Sequence, residues 1–321
     1  MDRANLIRFL LLALIWGSSF LFIEIALRGV GPHHVVVGRL VAGALVLLLI
    51  VAARGESLPR AWRLRIHLAA LGIVGNILPF FLFAWAQQRI TSGLAGILNG
   101  ATPLFTLAIA VIALPDERFS RVRVAGLLLG LAGVVLVVGP WDQDPRTSSL
   151  AGQLACLGAA LCYGVAFVYT RRFLSGFGHP PISLAAGQLT AAAVMAILIA
   201  PWLPAQPLAV TPLVTGSILL LGAGATGVAY PLFYRLVAQA GATTSSLVTY
   251  LIPVVAVTLG VVVLNEPVTW NLFVGAGVVI LGIAIAEGRL GGTSSGEPGE
   301  RRAAARPSVD APPHPRGPRP G

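Results

Sequence analysis

The strongest constraint on this chain is a repeat in which prolines, glutamates and glycines recur 149 or 150 residues apart. Residues 91–139 contain two long apolar segments on either side of an acidic turn, and residues 241–288 contain a similar arrangement. The matching positions are Pro103 with Pro253, Glu117 with Glu266, Gly126 with Gly275, and Gly133 with Gly282. A repeat of this length indicates a duplicated unit.

The similarity continues toward the start of each copy. The matching stretches are Trp16–Phe20 with Tyr163–Phe167, Pro32–Leu40 with Pro181–Leu189, and Phe80–Phe83 with Tyr230–Phe233. We therefore predict a first repeat over residues 1–141 and a second over residues 147–288. Residues 289–321 are rich in Gly, Pro and Arg and cannot bury a core, so they are predicted to form a disordered cytoplasmic tail.

The composition places most of the chain in lipid. Hydrophobic residues make up 56% of it and charged residues only 11%, with a mean hydropathy of +0.85, whereas a soluble domain carries about 25% charged residues. Ten segments are long enough to cross a bilayer as helices, in which all backbone groups are satisfied internally. They span approximately residues 6–27, 34–53, 66–88, 91–114, 121–139, 150–170, 182–200, 212–236, 242–264 and 269–287.

The positions of the arginines predict the orientation. With the N-terminus inside, the cytoplasmic loops and ends hold most of the arginines, and the opposite side keeps only Arg28, Arg89 and Arg146. We therefore expect a multi-pass protein of the bacterial inner (plasma) membrane with both termini in the cytoplasm. Because each repeat has five helices, the second is expected to insert upside down relative to the first.

The net charge of +10 does not indicate a nucleic-acid-binding protein. The basic residues lie at the ends of apolar segments and in the tail, as expected of a membrane protein. A nucleic-acid-binding domain would cluster them on one soluble face. The fold class predicted is therefore an all-α integral membrane protein with ten transmembrane helices in two inverted five-helix repeats.

An ordered series of motifs resembles the EamA family of the drug/metabolite transporter superfamily. The series is W-G-S-S-F, an arginine in the next apolar segment, a proline-containing segment ending in E-R-F-S or E-P-V-T, and then G-x6-G. The resemblance covers both repeats and implies transport, usually export, of amino acids, related metabolites or drugs. The chain departs from the family pattern before the glutamates, where Asp116 and Asn265 replace the usual glycine.

The paired prolines are candidate helix hinges. A proline inside a helix frees the carbonyl four residues earlier. For Pro103 that residue is Asn99, and for Pro253 it is Thr249. Freed carbonyls beside polar side chains at matching places in both halves point to a midplane binding site, although membrane helices also tolerate prolines without any such role.

Polar and aromatic side chains inside predicted spans need partners, either from neighbouring helices or from a solute. We predict a central cavity walled by the first, third and fourth helices and by their repeat mates, the sixth, eighth and ninth. The predicted substrate-binding residues are Trp16, Asn76, Asn99, Tyr163, Tyr230, Thr249 and Tyr250.

Four charged residues have competing interpretations. Arg39 could anchor an anionic group, form an ion pair with Glu24, or extend to the membrane interface, and a structural or gating role is favoured. Glu117 and Glu266 precede the last helix of each repeat, where a carboxylate is stabilised by the free N–H groups and the helix dipole. A structural role is therefore expected for both glutamates.

These features favour a secondary transporter of small organic metabolites over two other classes. The sequence has no nucleotide-binding loop, no metal-binding or hydrolase motif and no requirement for a cofactor, so neither an ATP-driven pump nor a membrane enzyme is indicated. A scaffold or receptor without transport activity is the alternative. Proton coupling, for which Glu24 is the one acidic candidate at depth, and a homodimer are both left open.

Overall fold

The chain folds into helices that pack against one another around several apolar clusters. The computed structural model describes residues 3–113, 121–138, 149–174, 178–205, 208–246, 248–267 and 269–286. Within these ranges the structure contains no β-strand, only an isolated antiparallel bridge between Val30 and Leu208. The prediction of an all-helical protein is confirmed for the described part of the chain, and the predicted tail lies outside it.

The first half contains eight described α-helices. They are α1 Arg3–Gly17, α2 Ser19–Leu27, α3 Pro32–Ala53, α4 Trp62–Gly72, α5 Leu78–Gln87, α6 Ser92–Asn99, α7 Thr102–Ala113 and α8 Arg121–Val138. A π-helical segment, Ile73–Ile77, joins α4 to α5 without a break. Helix α3 begins with a proline, whose fixed φ suits the first helical position.

The second half contains six described α-helices. They are α9 Leu150–Phe173, α10 Pro181–Ile199, α11 Pro212–Leu219, α12 Ala229–Ser246, α13 Val248–Leu264 and α14 Trp270–Ala286. A 3₁₀ turn, Ala200–Trp202, follows α10, and a second π-helical segment, Leu220–Val228, joins α11 to α12. Ser149 and Thr211 cap α9 and α11 by accepting backbone N–H groups.

Seven of the described helical stretches are long and apolar enough to cross a membrane. They are Arg3–Leu27, Pro32–Ala53, Trp62–Gln87, Ser92–Ala113, Leu150–Phe173, Pro181–Trp202 and Pro212–Leu236. Three shorter apolar helices, Val124–Val137, Leu251–Leu264 and Trp270–Gly282, fall where the sequence predicts the fifth, ninth and tenth spans. The structure therefore gives seven spans by length and three shorter candidates.

Large apolar side chains cover the outside of the helical bundle. Leu49 is 70% exposed, Val262 72% and Ile112 84%. Such continuous apolar exposure is unfavourable in water and favourable in lipid. We therefore expect these faces to contact lipid.

Glycines allow α8 and α14 to pack closely along their length. A Cβ on Gly133 would stand 2.5 Å from the Val279 backbone nitrogen, and a Cβ on Gly282 would stand 2.6 Å from the Cα of Gly130. Real side chains cannot approach backbone atoms so closely. Glycine at these positions therefore permits close contact of the two helices along a seam.

The two prolines have different local structures. The predicted segment over residues 91–114 is two helices, because α6 ends at Asn99 and α7 begins at Thr102. Pro103 therefore occupies the first turn of α7, where a missing N–H costs little. Pro253 lies inside the continuous helix α13. Pro103 is therefore not inside a helix as the sequence suggests, and a hinge at the junction of α6 and α7 stays a prediction.

Glu266 caps a helix of the other half rather than the helix that follows it. Its Oε1 accepts the Ser92 N–H at 2.7 Å and its Oε2 accepts the Gly93 N–H at 2.9 Å, at the start of α6. A carboxylate satisfies the free N–H groups of a helix N-terminus and complements its dipole. The sequence predicts that Glu266 caps a helix, but the helix is α6 and not α14. Glu117 lies outside the described residues.

Candidate functional site

Two π-helical segments occupy matching positions in the two halves. Ile73–Ile77 carries Asn76, and Leu220–Val228 carries Thr226, which lies 150 residues further along the chain. Both side chains are 1% exposed. A π-helical turn inserts an extra residue into a helix and is found mostly at functional sites. Asn76 and Thr226 are therefore candidate site residues, and their contacts outline the site.

Arg39 of α3 contacts Thr226 across the two halves. Its Nε donates to the Thr226 Oγ1 at 3.2 Å, and its Cζ lies 3.7 Å from the centroid of the Phe80 ring. The side chain is only 9% exposed, so it does not extend to the membrane interface. Arg39 is a buried cation inside the helical bundle, held by a hydroxyl and by the face of an aromatic ring.

Gln188 of α10 makes the matching contact from the other half. Its Nε2 donates to the Asn76 Oδ1 at 2.7 Å. Gln188 corresponds to Arg39 in the repeat, and Asn76 corresponds to Thr226. The Asn76 amide also interacts with the Tyr230 hydroxyl. Two cross-half pairs of matching residues, Arg39–Thr226 and Gln188–Asn76, therefore form the centre of the site, and one pair is cationic while the other is neutral.

Tyrosines surround the buried arginine. Tyr163 and Tyr230 are both close enough to Arg39 for electrostatic interaction. The ring centroid of Tyr163 lies 6.1 Å from that of Phe83, and the centroids of Tyr230 and Tyr234 are also 6.1 Å apart. The tyrosines are partly exposed although they pack against core clusters. They supply a wall with apolar faces and polar hydroxyls around the cation.

Trp16 anchors α1 beside the second π-helical segment. Its Nε1 donates to the carbonyl of Ala225 at 3.1 Å, and its ring centroid lies 5.3 Å from that of Phe233. Ala225 directly precedes Thr226 in the chain. Four of the predicted site residues, Trp16, Asn76, Tyr163 and Tyr230, thus surround the Arg39–Thr226 pair or lie directly beside it.

Asn99 lies elsewhere, at the junction of α6 and α7. Its carbonyl accepts the Thr102 Oγ1–H at 2.8 Å, and its Oδ1 lies 3.4 Å from the same hydroxyl. The carbonyl that Pro103 leaves without a helical N–H is therefore satisfied by a neighbouring side chain. The expectation of a freed carbonyl at Asn99 does not match this geometry, and solute binding by the Asn99 side chain stays a prediction.

Pro253 and Thr249 line a small cleft with residues of the first half. Pro253 Cγ lies 3.3 Å from the point where a Cβ on Gly100 would stand, and Ile97 completes this side of the cleft. The cleft has a volume of about 10 Å³, enough for one water molecule. The side chain of Tyr250 lies outside the described residues. The proline regions of the two halves therefore contact each other, but they are closely packed and leave only this small cleft between them.

Glu24 forms no ion pair with Arg39. No carboxylate of the described residues lies within 4.0 Å of the Arg39 nitrogen atoms. Glu24 is partly buried on α2, and its carboxylate is close enough to Arg28 and Glu266 to interact with their charges. The expectation of a Glu24–Arg39 pair is therefore not met, and the cation at the site has no anionic partner from the described part of the chain.

A comparison with protein families now bears on this geometry. The family model described as "EamA-like transporter family" matches residues 5–139 and again residues 150–287, which together cover most of the chain. The chain belongs to the EamA-like transporter family. As a member it is a multi-pass membrane transporter, and it acts on a small-molecule solute in a lipid bilayer.

Curated relatives of this EamA-like protein carry transporter names. It is 27% identical over 278 residues to the "Uncharacterized transporter YoaV" of Bacillus subtilis, covering 84% of this chain and 92% of the relative. It is 26% identical to the "Uncharacterized inner membrane transporter YedA" of Escherichia coli strain K12, covering 85% and 87%. It is 25% identical to the "Probable terminal-alkyne amino-acid exporter" of Streptantibioticus cattleyicolor, covering 89% and 95%.

A solved structure shares the fold of this EamA-like protein. A protein known from a crystal structure aligns with a TM-score of 0.63 at 24% sequence identity, covering 89% of this chain and 97% of that chain. At this identity the likeness concerns the fold alone. It supports the overall arrangement of helices described above.

Sequence reasoning missed three residues of the site in this EamA-like protein: Thr226, Gln188 as a contact partner, and Phe80. The signal was present, because adding the repeat offset of 150 to the polar residue Asn76 leads to Thr226. Threonine inside an apolar helix attracts little notice by itself, since its hydroxyl can bond the preceding turn. Within the described residues no group of three potential metal ligands occurs.

Proposed function

We propose that this EamA-like protein is a secondary transporter that exports small organic solutes by alternating access. The observation that carries the proposal is the pair of matching cross-half contacts, Arg39–Thr226 and Gln188–Asn76, centred on two π-helical segments. Polar residues joined across two halves at depth in the membrane form a site that both halves must share. A rocking of one half against the other would change access to that site.

The proposed topology has ten spans in two inverted repeats of five, over residues 1–141 and 147–288, with both termini in the cytoplasm. In this orientation the loop residues Gly29, Ala209 and Glu266 lie on the outer side. The Ala209 N–H donates to the Gly29 carbonyl at 2.8 Å, and Glu266 caps α6. Both contacts join the two halves, so they would keep the outer side closed.

A crevice on the other side of the molecule supports an inward-open arrangement. It has a volume of about 350 Å³ and lies between the end of α3 and the start of α12. Its lining includes Arg54 and Arg235, together with Val228 at the end of the segment that carries Thr226. In the proposed topology this crevice opens to the cytoplasm, where a solute destined for export would enter.

The proposed solutes are amino acids or related compounds, and drugs. One relative carries an amino-acid exporter's name at 25% identity over 89% of this chain. A site that combines a guanidinium, two amides and tyrosine hydroxyls with aromatic faces is suited to such compact amphipathic molecules.

A flux assay with purified protein tests the proposal. The protein is reconstituted into liposomes, and exchange of radiolabelled amino acids, cationic amines and neutral drugs is measured beside protein-free liposomes. We expect saturable flux of at least one solute, with a strong decrease in Thr226→Val and no decrease in Gly277→Ala, which lies at an open surface. Absence of flux for every solute would favour the scaffold or receptor class instead.

A further inference from the structure

Arg39 is a buried cation whose hydrogen-bonding capacity is mostly unused. Among the described residues, only its Nε has a hydrogen-bond acceptor, the Thr226 hydroxyl. A guanidinium offers five N–H donors in a planar fork that matches a carboxylate bidentately. The two terminal nitrogens, which carry four of these donors, therefore have no acceptor in the described part of the chain.

The charge of Arg39 is also uncompensated. No carboxylate of the described residues lies within 4.0 Å, and the Phe80 ring supplies only the weak attraction of an aromatic face. A buried charge is costly unless it is paired, and intramembrane charges are found with partners or in solute pathways. If Arg39 were needed only for packing, it would not have to be charged, because a neutral residue, Gln188, occupies the matching position in the other half.

We propose that Arg39 binds the carboxylate of the transported solute, so that the substrates are compact molecules bearing a carboxylate. This inference rests on the proposed transport function. The solute's carboxylate accepts from the terminal nitrogens of Arg39, while Nε stays on Thr226 and the guanidinium stays on Phe80. The neutral pair Gln188–Asn76 and the hydroxyls of Tyr163 and Tyr230 contact the rest of the solute.

The asymmetry between the two pairs has a functional consequence. The repeat gives the site two matching positions, but only the first half supplies a cation. A solute with one carboxylate therefore binds in a single orientation, with its anionic end toward α3 and its other end toward α10. A dicarboxylate would place its second charge beside Gln188 and Asn76, which supply no cation. Monocarboxylates are therefore favoured over dicarboxylates.

Binding measurements on the purified full-length protein test the assignment without depending on transport. The panel is the twenty standard amino acids, each beside its carboxamide, which removes the negative charge and keeps the shape. Affinity is measured by calorimetry in a neutral detergent without anionic lipid. We expect at least one acid to bind about tenfold to a hundredfold tighter than its amide. The inference would be overturned if no acid in the panel bound more tightly than its amide.

Substitutions separate the role of Arg39 from a general effect of charge. Arg39→Gln introduces the residue of the matching position and should reduce the preference for the acid over its amide to under about threefold. Arg39→Lys should retain only part of the preference, because an ammonium keeps the charge but lacks the planar fork. Arg89→Gln is the matched control, since Arg89 lies 3.6 Å over the Trp85 ring but outside the site. A folded Arg39→Gln that keeps the full preference contradicts the proposal. If Arg39→Gln does not fold, the acid-amide comparison in the wild type decides.

Two further measurements show which kind of anion Arg39 binds, and whether a negative result concerns the Arg39 assignment or transport itself. Inorganic phosphate is tested in the same calorimetry, and Arg39-dependent binding of phosphate tighter than that of every acid would replace the carboxylate by a phosphate group. Liposome flux is measured in parallel. If solutes are transported without a preference for the acid, the transport function stands and the Arg39 assignment is overturned. If acids bind selectively but no flux is observed, the Arg39 assignment is supported and the transport function is overturned.

Discussion

The carboxylate of Glu266 joins the two halves of the molecule, because its Oε1 accepts the Ser92 backbone N–H at 2.7 Å. The second oxygen accepts the Gly93 N–H at 2.9 Å, so both atoms of the carboxylate serve one helix N-terminus. A Cβ on Gly260 would collide with this carboxylate, so glycine at this position of α13 leaves room for it. The segment after α13 is thereby fixed onto α6.

Replacing this carboxylate should lower stability more than transport. Glu266→Gln keeps one acceptor oxygen and loses the charge, which should cost about 1–3 kcal/mol because two charge-assisted hydrogen bonds are weakened. The measurement is the midpoint of thermal unfolding in detergent, together with flux per folded molecule. Gly277→Ala is the control for both measurements, since a methyl group at this position meets nothing within 4 Å. Normal folded levels with complete loss of transport would show that Glu266 acts in the transport cycle.

The sequence predicted the glutamate's structural role but not the helix that it caps. A carboxylate before a helical segment is usually assigned to that segment, because only chain neighbours are visible in a sequence. The choice of α6 depends on how the halves pack, which no local pattern encodes. The same limit applies to Pro103, since the first turn of a new helix and a mid-helix kink have the same sequence signature.

The close packing of α8 against α14 gives a prediction with an internal control. Gly282→Ala would place a methyl group 2.7 Å from the Gly126 carbonyl oxygen, so the helices must move apart, at a cost of about 1–3 kcal/mol. Gly277→Ala on the same helix meets nothing within 4 Å. Thermal unfolding of both variants should show a decrease for the first only. Equal midpoints would mean that the seam is looser than described.

The glycine spacing was the part of the fold most accessible from the sequence. Glycines repeated at seven-residue intervals in both copies can only be explained by close approach of backbones, because glycine is otherwise unfavourable inside a helix. The polar site was less accessible. Arg39 and Asn76 were noticed as polar residues in apolar segments, but their partners Thr226 and Gln188 required knowledge of which helices face each other.

The proposed orientation can be read from reporter fusions. Fusions after Arg146 and Gln206 should report the outside, and fusions after Arg63 and Arg172 the inside, because arginine-rich loops remain in the cytoplasm. Alkaline phosphatase and green fluorescent protein, which are active on opposite sides of the membrane, provide complementary readouts. The reverse pattern would contradict the proposed orientation, which rests on the arginine distribution, and a pattern with an even number of spans between Arg63 and Gln206 would contradict the inverted repeats.

A cross-link across the outer side should stop transport. Val30 and Leu208 form an antiparallel bridge between loops of the two halves, and directly opposed bridge residues have Cα separations compatible with a disulfide. Val30→Cys combined with Leu208→Cys should lose flux after oxidation and recover it after reduction. The single variant Val30→Cys, treated identically, should keep its flux. Undiminished flux with the cross-link in place would mean that the outer side does not need to open there.

The last prediction concerns the neutral pair of the site, in which Gln188 donates to Asn76 at 2.7 Å. Asn76→Leu and Gln188→Leu each remove a polar partner from a buried position, so each should weaken the apparent affinity for solute about tenfold to a hundredfold. Because the two side chains form one unit, the double variant should lose less than the sum of the two single losses. Flux as a function of solute concentration gives the three affinities.

Asn99→Leu is the matched comparison for this pair. It also replaces an amide within an apolar span, but Asn99 bonds Thr102 at the junction of α6 and α7, apart from Arg39 and Thr226. Its apparent affinity for solute should stay within about threefold of the wild type, a change of under ~1 kcal/mol. If Asn99→Leu alters solute preference more strongly than Asn76→Leu does, the solute passes through the proline seam and not between the two π-helical segments.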